Sequence, residues 1–207
     1  MRLAQFIIHE TEAILAEWES FARTLRPASD GMSSLELRDH ARQILEAIAK
    51  DLSTPQTRQE QFDKSRGRAP VVESAPETAA QTHAVLRARR GFDVTQLCAE
   101  YRALRAAVLR LWLDNGGGQP RELDDMMRFN EAIDQALGES VSFFSSHVDR
   151  ARNLLLGMLG HDMRSPLQTI QMTALHLAKL NDGGDVSAAA ARLIRSGARM
   201  QALLDDM

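Results

Sequence analysis

The chain contains only one cysteine, Cys98, among its 207 residues. An internal disulfide bond is therefore excluded, and a cytoplasmic location is expected, since structural disulfides belong mainly to oxidising compartments. The formal net charge of −3 gives no general electrostatic reason to expect nucleic acid or an anionic membrane as a partner. No apolar run approaches the roughly 18–20 residues that a membrane-spanning helix needs, and the first residues lack the apolar core of a signal peptide.

Signals for β-strands are nearly absent as well. β-branched residues are sparse, and no stretch alternates convincingly between apolar and polar residues. Apolar residues instead recur at helical spacing along almost the whole chain, which predicts an all-α fold. We expect a first helix to end near Pro27, a second to be capped by Ser33 or Ser34, and a short one to lie around Arg58–Ser65.

Two more helices are expected at residues 77–90 and 94–114. Apolar residues in the second of these step by four, three, four and three, which predicts a buried stripe: Leu97, Tyr101, Leu104, Val108 and Leu111. The run Asn-Gly-Gly-Gly-Gln-Pro at residues 115–120 should then end that helix.

A very long helix should follow, because the apolar spacing continues from Arg121 to Leu180 with no strong breaker before Pro166. A tight reversal is predicted at residues 181–185. The last segment repeats apolar or small residues at heptad spacing: Val186, Leu193, Gly197, Met200, Leu204 and Met207. Two such helices cannot bury their seams as an isolated hairpin, so we expect a helical bundle at 1–148 joined by the long helix to a hairpin at 149–207 that dimerises into a four-helix bundle.

The segment most suggestive of chemistry is 161–167, His-Asp-Met-Arg-Ser-Pro-Leu. On a helix, His161 lies about 200° around the axis from both Leu159 and Met163, so its side chain should point away from the apolar stripe. A neutral imidazole nitrogen is a competent nucleophile, and Asp162 can hold or accept the proton of the other nitrogen. Pro166 has no N–H, so the carbonyl of Asp162 loses its helical hydrogen bond.

This segment resembles the H-box of sensor histidine kinases, and residues 191–206 are similar to the second helix of the same dimerisation and phospho-acceptor domain. The resemblance implies that His161 is phosphorylated, that Asp162 is the general base, and that Ser165 orients water for phosphatase activity. Serine departs there from the usual threonine or asparagine. The implied partners are a second copy of the chain, a response regulator and the kinase's own ATP-binding domain, which would use ATP and Mg²⁺.

No Gly-rich nucleotide-binding motif occurs in the chain, which needs no cofactor of its own. We therefore expect the sensor and phospho-acceptor part of a cytoplasmic histidine protein kinase, inactive without the ATP-binding domain. Two alternatives stay open: a stand-alone histidine phosphotransfer protein, and a non-catalytic helical dimerisation scaffold.

Residues 1–148 resemble the all-helical N-terminal domain of RsbRD-type stressosome co-antagonist proteins, through the segments at 83–92 and 99–112. The resemblance supplies no ligand-binding motif. His83 is expected to be structural, because no second ligand at metal spacing accompanies it. Tyr101 and Trp112 should be core or interface anchors. We expect surface ion pairs among Glu100, Arg102 and Arg105. We expect Cys98 to be buried and chemically inert.

Overall fold

The structure is a computed structural model that describes residues 1–66, 77–180 and 184–205. Over these ranges it contains helices and no strand, so the all-α prediction is confirmed. The α-helices are α1 (Leu3–His9), α2 (Thr11–Ala22), α3 (Ser34–Ser53), α4 (Arg58–Ser65), α5 (Ala79–Arg89), α6 (Val94–Asp114), α7 (Leu123–Leu180) and α8 (Gly184–Asp205). A single 3-10 turn at Pro120–Glu122 precedes α7.

Four of the helices begin with a reciprocal cap. The side chain at the N-cap accepts a hydrogen bond from the backbone N–H three residues on, and that later side chain accepts one from the N-cap N–H. The pairs are Ser33 with Glu36, Thr57 with Glu60, Thr78 with Gln81, and Asp93 with Gln96. Ser33, not Ser34, therefore caps α3, and each cap is worth about 1 kcal/mol of stability.

The first predicted helix is interrupted, which the apolar spacing did not indicate. The hydroxyl of Thr11 donates to the carbonyl oxygen of Ile7 at 2.6 Å and to that of Ile8 at 3.2 Å. Glu10 leaves helical geometry there, at φ −101° and ψ 19°. A threonine hydroxyl that competes for backbone carbonyls of the preceding turn favours such a break, so the segment forms α1 and α2.

The end of α6 agrees with the glycine run that follows it. Gly116 and Gly118 adopt φ of +79° and +81°, a left-handed conformation that side chains with a Cβ rarely tolerate. The N–H of Gly117 reaches back to the carbonyl of Trp112 at 3.0 Å. The chain therefore reverses between α6 and α7 at the residues whose backbone permits it.

The chain divides into two compact units, Met1–His147 and Val148–Met207. In the first, α1, α2, α3, α5, α6 and the first part of α7 surround the larger of two apolar clusters. Its largest buried side chains include Phe6, Trp18, Trp112 and Phe129. The indole N–H of Trp112 donates to the carbonyl of Met1 at 3.0 Å. Tyr101 and Trp112 are therefore core anchors, as predicted.

In the second unit, the later part of α7 packs on α8. Leu167 and Ala174 of α7 and Ala190 and Gly197 of α8 are buried between them. A Cβ at Gly197 would lie 2.8 Å from Cγ of Gln171, so the glycine lets the two helices approach closely. Whether this hairpin dimerises stays a prediction. None of the described helices is long and apolar enough to cross a membrane.

Candidate functional site

His161 and Asp162 lie side by side on α7. Their side chains are 86% and 76% exposed, and Nδ1 of His161 is 3.3 Å from Oδ1 of Asp162. Exposure alone does not distinguish His161, because Leu159 and Met163 of the apolar stripe are also about half exposed in the single chain. What sets His161 apart from these two neighbours is an imidazole ring with a carboxylate beside it.

That carboxylate decides which ring nitrogen can react. An ionised carboxylate only accepts hydrogen bonds, so in the tautomer that makes this hydrogen bond the proton is on Nδ1. The lone pair of the neutral ring is then on Nε2, the nitrogen that Asp162 does not contact. An exposed nucleophilic nitrogen with an adjacent proton acceptor is the arrangement that nucleophilic transfer chemistry needs.

Ser165 and Pro166 follow within the same helix. Ser165 is exposed and lies four residues after His161, close to one full turn, so both side chains lie on the same side of α7. The carbonyl of Ser165 accepts a hydrogen bond from the hydroxyl of Thr169 at 3.2 Å. Pro166 lies inside the helix and leaves the carbonyl of Asp162 without its helical N–H partner.

The first unit contains a second group of polar side chains, which we call the Glu100 cluster: Glu100, Arg87 and His83. All three are buried. Nε of Arg87 donates to both carboxylate oxygens of Glu100 at 3.0 Å, and Nε2 of His83 is 3.1 Å from Oε2. The prediction of a surface pair at Glu100 is therefore wrong, because its position on α6 faces α5 and not solvent.

The Glu100 cluster connects four helices. Arg87 also donates to the carbonyl of Leu37 on α3 at 3.1 Å, and the indole N–H of Trp18 on α2 donates to the backbone carbonyl of Glu100 at 3.0 Å. Burial by itself would raise the pKa of the Glu100 carboxyl, but His83 and Arg87 outweigh it and hold that pKa below its ordinary value. This cluster is a structural ion pair, and His83 belongs to it.

Two neighbouring expectations have separate outcomes. Arg105 forms an ion pair with Asp134, as a surface pairing predicts. Cys98 is half-buried, so the expectation of full burial is wrong, and its inertness stays a prediction. Among the described residues, no group of three or more histidine, cysteine or carboxylate side chains is arranged to hold a metal ion.

A cavity of about 190 Å³ lies between α3, α4, α5 and the first part of α7. Isoleucine and alanine side chains, including Ile48 and Ala136, form much of its wall. Of the three ionic groups among the described lining residues, Lys64 and Asp51 pair with each other, and Glu139 is hydrogen-bonded to a neutral side chain. Nζ of Lys64 is 2.5 Å from Asp51, and Glu139 accepts a hydrogen bond from Thr78 at 3.1 Å. The wall is therefore mostly apolar, and the Glu139 carboxylate is its one ionic group bonded to a neutral partner.

Comparison with known proteins identifies a family for the first part of the chain. The family model described as the RsbT co-antagonist protein rsbRD N-terminal domain matches residues 11–158. A search of curated proteins and a search of solved structures found no match. The matched segment ends before His161, so the role of the H-box-like segment depends on its own sequence and geometry.

Proposed function

Because this chain belongs to the RsbT co-antagonist protein rsbRD N-terminal domain family through residues 11–158, we propose that its first unit is a sensor domain that controls a phospho-acceptor site on α7. The acceptor is His161. The observation that carries this proposal is the contact of Nδ1 with the Asp162 carboxylate, which leaves Nε2 as an exposed nucleophile beside a proton acceptor. The whole protein then acts as the sensor and acceptor part of a histidine kinase.

The chemistry at His161 is a nucleophilic displacement. The lone pair of Nε2 forms a bond to the terminal phosphorus of ATP, held with Mg²⁺ by an ATP-binding domain, while the bond from that phosphorus to the ADP oxygen breaks. The imidazole ring of His161 gains positive charge in this step. The Asp162 carboxylate stabilises that charge by accepting a hydrogen bond from Nδ1–H. A carboxylate of a response regulator later attacks the same phosphorus, and the P–N bond breaks.

Ser165 would take part in the phosphatase step, which removes the phosphoryl group from the response regulator. Its hydroxyl lies one turn from His161 and can orient a water molecule towards a phosphorylated regulator. This role needs a hydroxyl or amide at that position, and serine supplies a hydroxyl on the same carbon, Cβ, as threonine does. We therefore propose Ser165 for the phosphatase step only.

The second unit offers a surface for a second copy of the chain. Heptad positions on α7 alternate between buried residues, Leu167 and Ala174, and half-exposed apolar ones, Met163, Ile170 and Leu177. Helix α8 shows the same alternation, with Ala190 and Gly197 buried and Leu193 and Met200 half-exposed. Half of each seam is thus unburied in one protomer, and an identical hairpin has the matching half.

Chemical phosphorylation tests the acceptor directly. The purified chain is incubated with phosphoramidate, a small phosphoryl donor, and the modified histidine is located by mass spectrometry at neutral pH. His176 is the internal control, since it is also exposed on α7 but is followed by Leu177 in place of an acidic residue. We expect His161 to be labelled first, and Asp162→Asn to slow that labelling by at least about tenfold.

A second arm uses ATP and the ATP-binding domain of a histidine kinase supplied in trans. His161→Gln should abolish acid-labile labelling, whereas His176→Gln should leave it unchanged. Equal labelling of His161 and His176 by phosphoramidate, with no effect of either substitution on transfer from ATP, would leave the second unit as a dimerisation scaffold without chemistry.

A further inference from the structure

The cavity between α3, α4, α5 and the first part of α7 limits the size of any ligand it can hold. Ile44 and Ile48 of α3 and Ala132 and Ala136 of α7 supply apolar wall around a volume of about 190 Å³. An apolar cavity of about 150 Å³ accepts benzene, whereas sites for cofactors and drug-sized ligands begin at about 300 Å³. The cavity therefore has room for a six-membered ring with a short substituent, and it is too small for a nucleotide.

The described lining residues carry a net negative charge. Their ionic groups are the carboxylates of Asp51 and Glu139 and the ammonium of Lys64. The side chain of Lys64 is only 10% exposed and its Nζ lies 2.5 Å from Asp51, so these two charges neutralise each other. Glu139 instead accepts hydrogen bonds from two neutral donors, the hydroxyl of Thr78 at 3.1 Å and the amide of Gln135 at 3.0 Å. Neither donor cancels the charge of the Glu139 carboxylate.

The Glu139 carboxylate has capacity for a further donor. A carboxylate offers about four acceptor positions, and the two hydrogen bonds use one position on each oxygen. An ammonium group could donate to a remaining position and cancel the charge in the same contact.

Other classes of ligand match this wall less well. A wholly apolar molecule would displace water from the Glu139 carboxylate and replace none of the lost hydrogen bonds, which costs free energy. An anion would be repelled by the same carboxylate. A metal ion needs several ligating side chains, and among the described residues no group of three or more histidine, cysteine or carboxylate side chains could hold one. An organic cation with an apolar body matches both the charge and the apolar wall.

We propose that this cavity binds a small organic cation, with its apolar ring between α3 and α7 and its ammonium group at Glu139. That this cation is the signal received by the first unit rests on the proposed function. Helix α7 contributes Ala132, Gln135, Ala136 and Glu139 to the wall, and the same helix continues to His161. A ligand that binds one arrangement of α7 more tightly than another shifts the population towards that arrangement.

Three probes that share a benzene ring and differ in charge test the site on the purified full chain at neutral pH: benzylammonium, benzyl alcohol and benzoate. Binding is followed by NMR of the isoleucine methyl groups. The signals of Ile44 and Ile48 should shift, whereas that of Ile14, a core residue outside the cavity wall, should not. Benzylammonium should bind at least about tenfold more tightly than benzyl alcohol, because only the cation forms a charge-assisted hydrogen bond with Glu139. Benzoate should bind most weakly.

Variants of α7 separate the charge of the site from its volume. Glu139→Gln should reduce the preference for benzylammonium over benzyl alcohol to less than about twofold. The control Asp134→Asn removes an equal charge from an exposed residue that pairs with Arg105 and is not in the described wall, so the preference should remain. Ala136→Leu places a larger side chain in the cavity and should weaken both probes. Circular dichroism of each variant confirms that the helices are intact.

Several results would overturn the proposal. They are equal affinities of wild type for the three probes, tighter binding of benzoate, an unchanged preference in Glu139→Gln, and no saturation by millimolar benzylammonium.

The variant His161→Gln separates this inference from the proposed function. It should bind benzylammonium as wild type does, because it leaves the cavity intact. If wild type forms no phosphohistidine yet binds the cation through Glu139, the proposed function fails and the cation site stands. If His161 is phosphorylated and benzylammonium does not bind, the cation site fails alone.

Discussion

Glu100 carries a negative charge into the core of the first unit, and the residues around it determine whether that charge is tolerated. Moving an ionised carboxylate out of water costs several kcal/mol unless partners replace the lost hydration. Arg87 and His83 contact both carboxylate oxygens, and their attraction keeps the pKa of Glu100 low. The stabilisation is present above the ordinary pKa of a glutamate and is lost as pH falls through the lowered value.

Removing one member of this pair should destabilise the protein strongly. We expect Glu100→Leu to lower the free energy of unfolding by about 3–5 kcal/mol, because Arg87 is left buried without its counter-ion. The double variant Arg87→Met with Glu100→Leu should be more stable than the single one, since no unpaired charge remains. Urea denaturation followed by circular dichroism measures both.

Asp134→Leu provides the control for that comparison. It breaks the exposed pair with Arg105 and should cost no more than about 1 kcal/mol. A Glu100→Leu variant as mildly affected as Asp134→Leu would mean that the Glu100 cluster contributes no more than a surface pair does.

At the scale of the elements, α7 and α8 each bury only half of their heptad seam within one chain. Burial of a leucine side chain contributes roughly 1.5–3 kcal/mol, and several half-exposed leucine, isoleucine and methionine side chains follow the unburied half. If these side chains stay in water, the hairpin lacks a stabilising free energy comparable to the free energy of unfolding of a whole domain. This is the energetic reason for proposing that two hairpins associate.

A charge placed on that seam should separate the protomers. Leu193 is 48% exposed on the seam face of α8, and Leu193→Asp should convert a dimer into monomers in light scattering. Met172 is 67% exposed but lies on the far side of α7 from Ile170, so Met172→Asp should leave the dimer intact. A dimer that survives Leu193→Asp would move the main interface to the first unit.

At the scale of the whole molecule, one helix belongs to both units. Helix α7 runs from Leu123 to Leu180, and the division between the units falls at His147 and Val148 within it. A helix transmits rotation only when its residues keep a fixed phase, at about 100° per residue. The proposed control of His161 by the sensor unit therefore depends on the number of residues between them.

Insertions after Val148 test this dependence in a kinase that joins this chain to an ATP-binding domain. Two residues rotate His161 by about 200° relative to the first unit, whereas four residues change the phase by only about 40°. The two-residue insertion should uncouple autophosphorylation from the stimulus, and the four-residue insertion should do so much less. Equal regulation in both variants would indicate a flexible joint in place of a continuous helix.

Much of the helical architecture is determined by the sequence, because the interactions that start and end helices act within about four residues. The predicted bounds of α4 and α6 agree with the structure, and Ser33 caps α3. The chemical character of His161 is local as well, since its partner Asp162 is the adjacent residue. The acceptor role itself stays a prediction.

Tertiary structure decided the features that depend on distant residues. From the sequence alone, Glu100 is expected at the surface. It is buried because Arg87 and His83 of α5, 13 and 17 positions away along the chain, form hydrogen bonds with its carboxylate. Which half of each heptad seam is buried is likewise settled only when α7 packs on α8, through Gly197 and Gln171. Helical spacing identifies an apolar face, but a face is buried only against a neighbour, and the neighbour is chosen by packing across the whole chain.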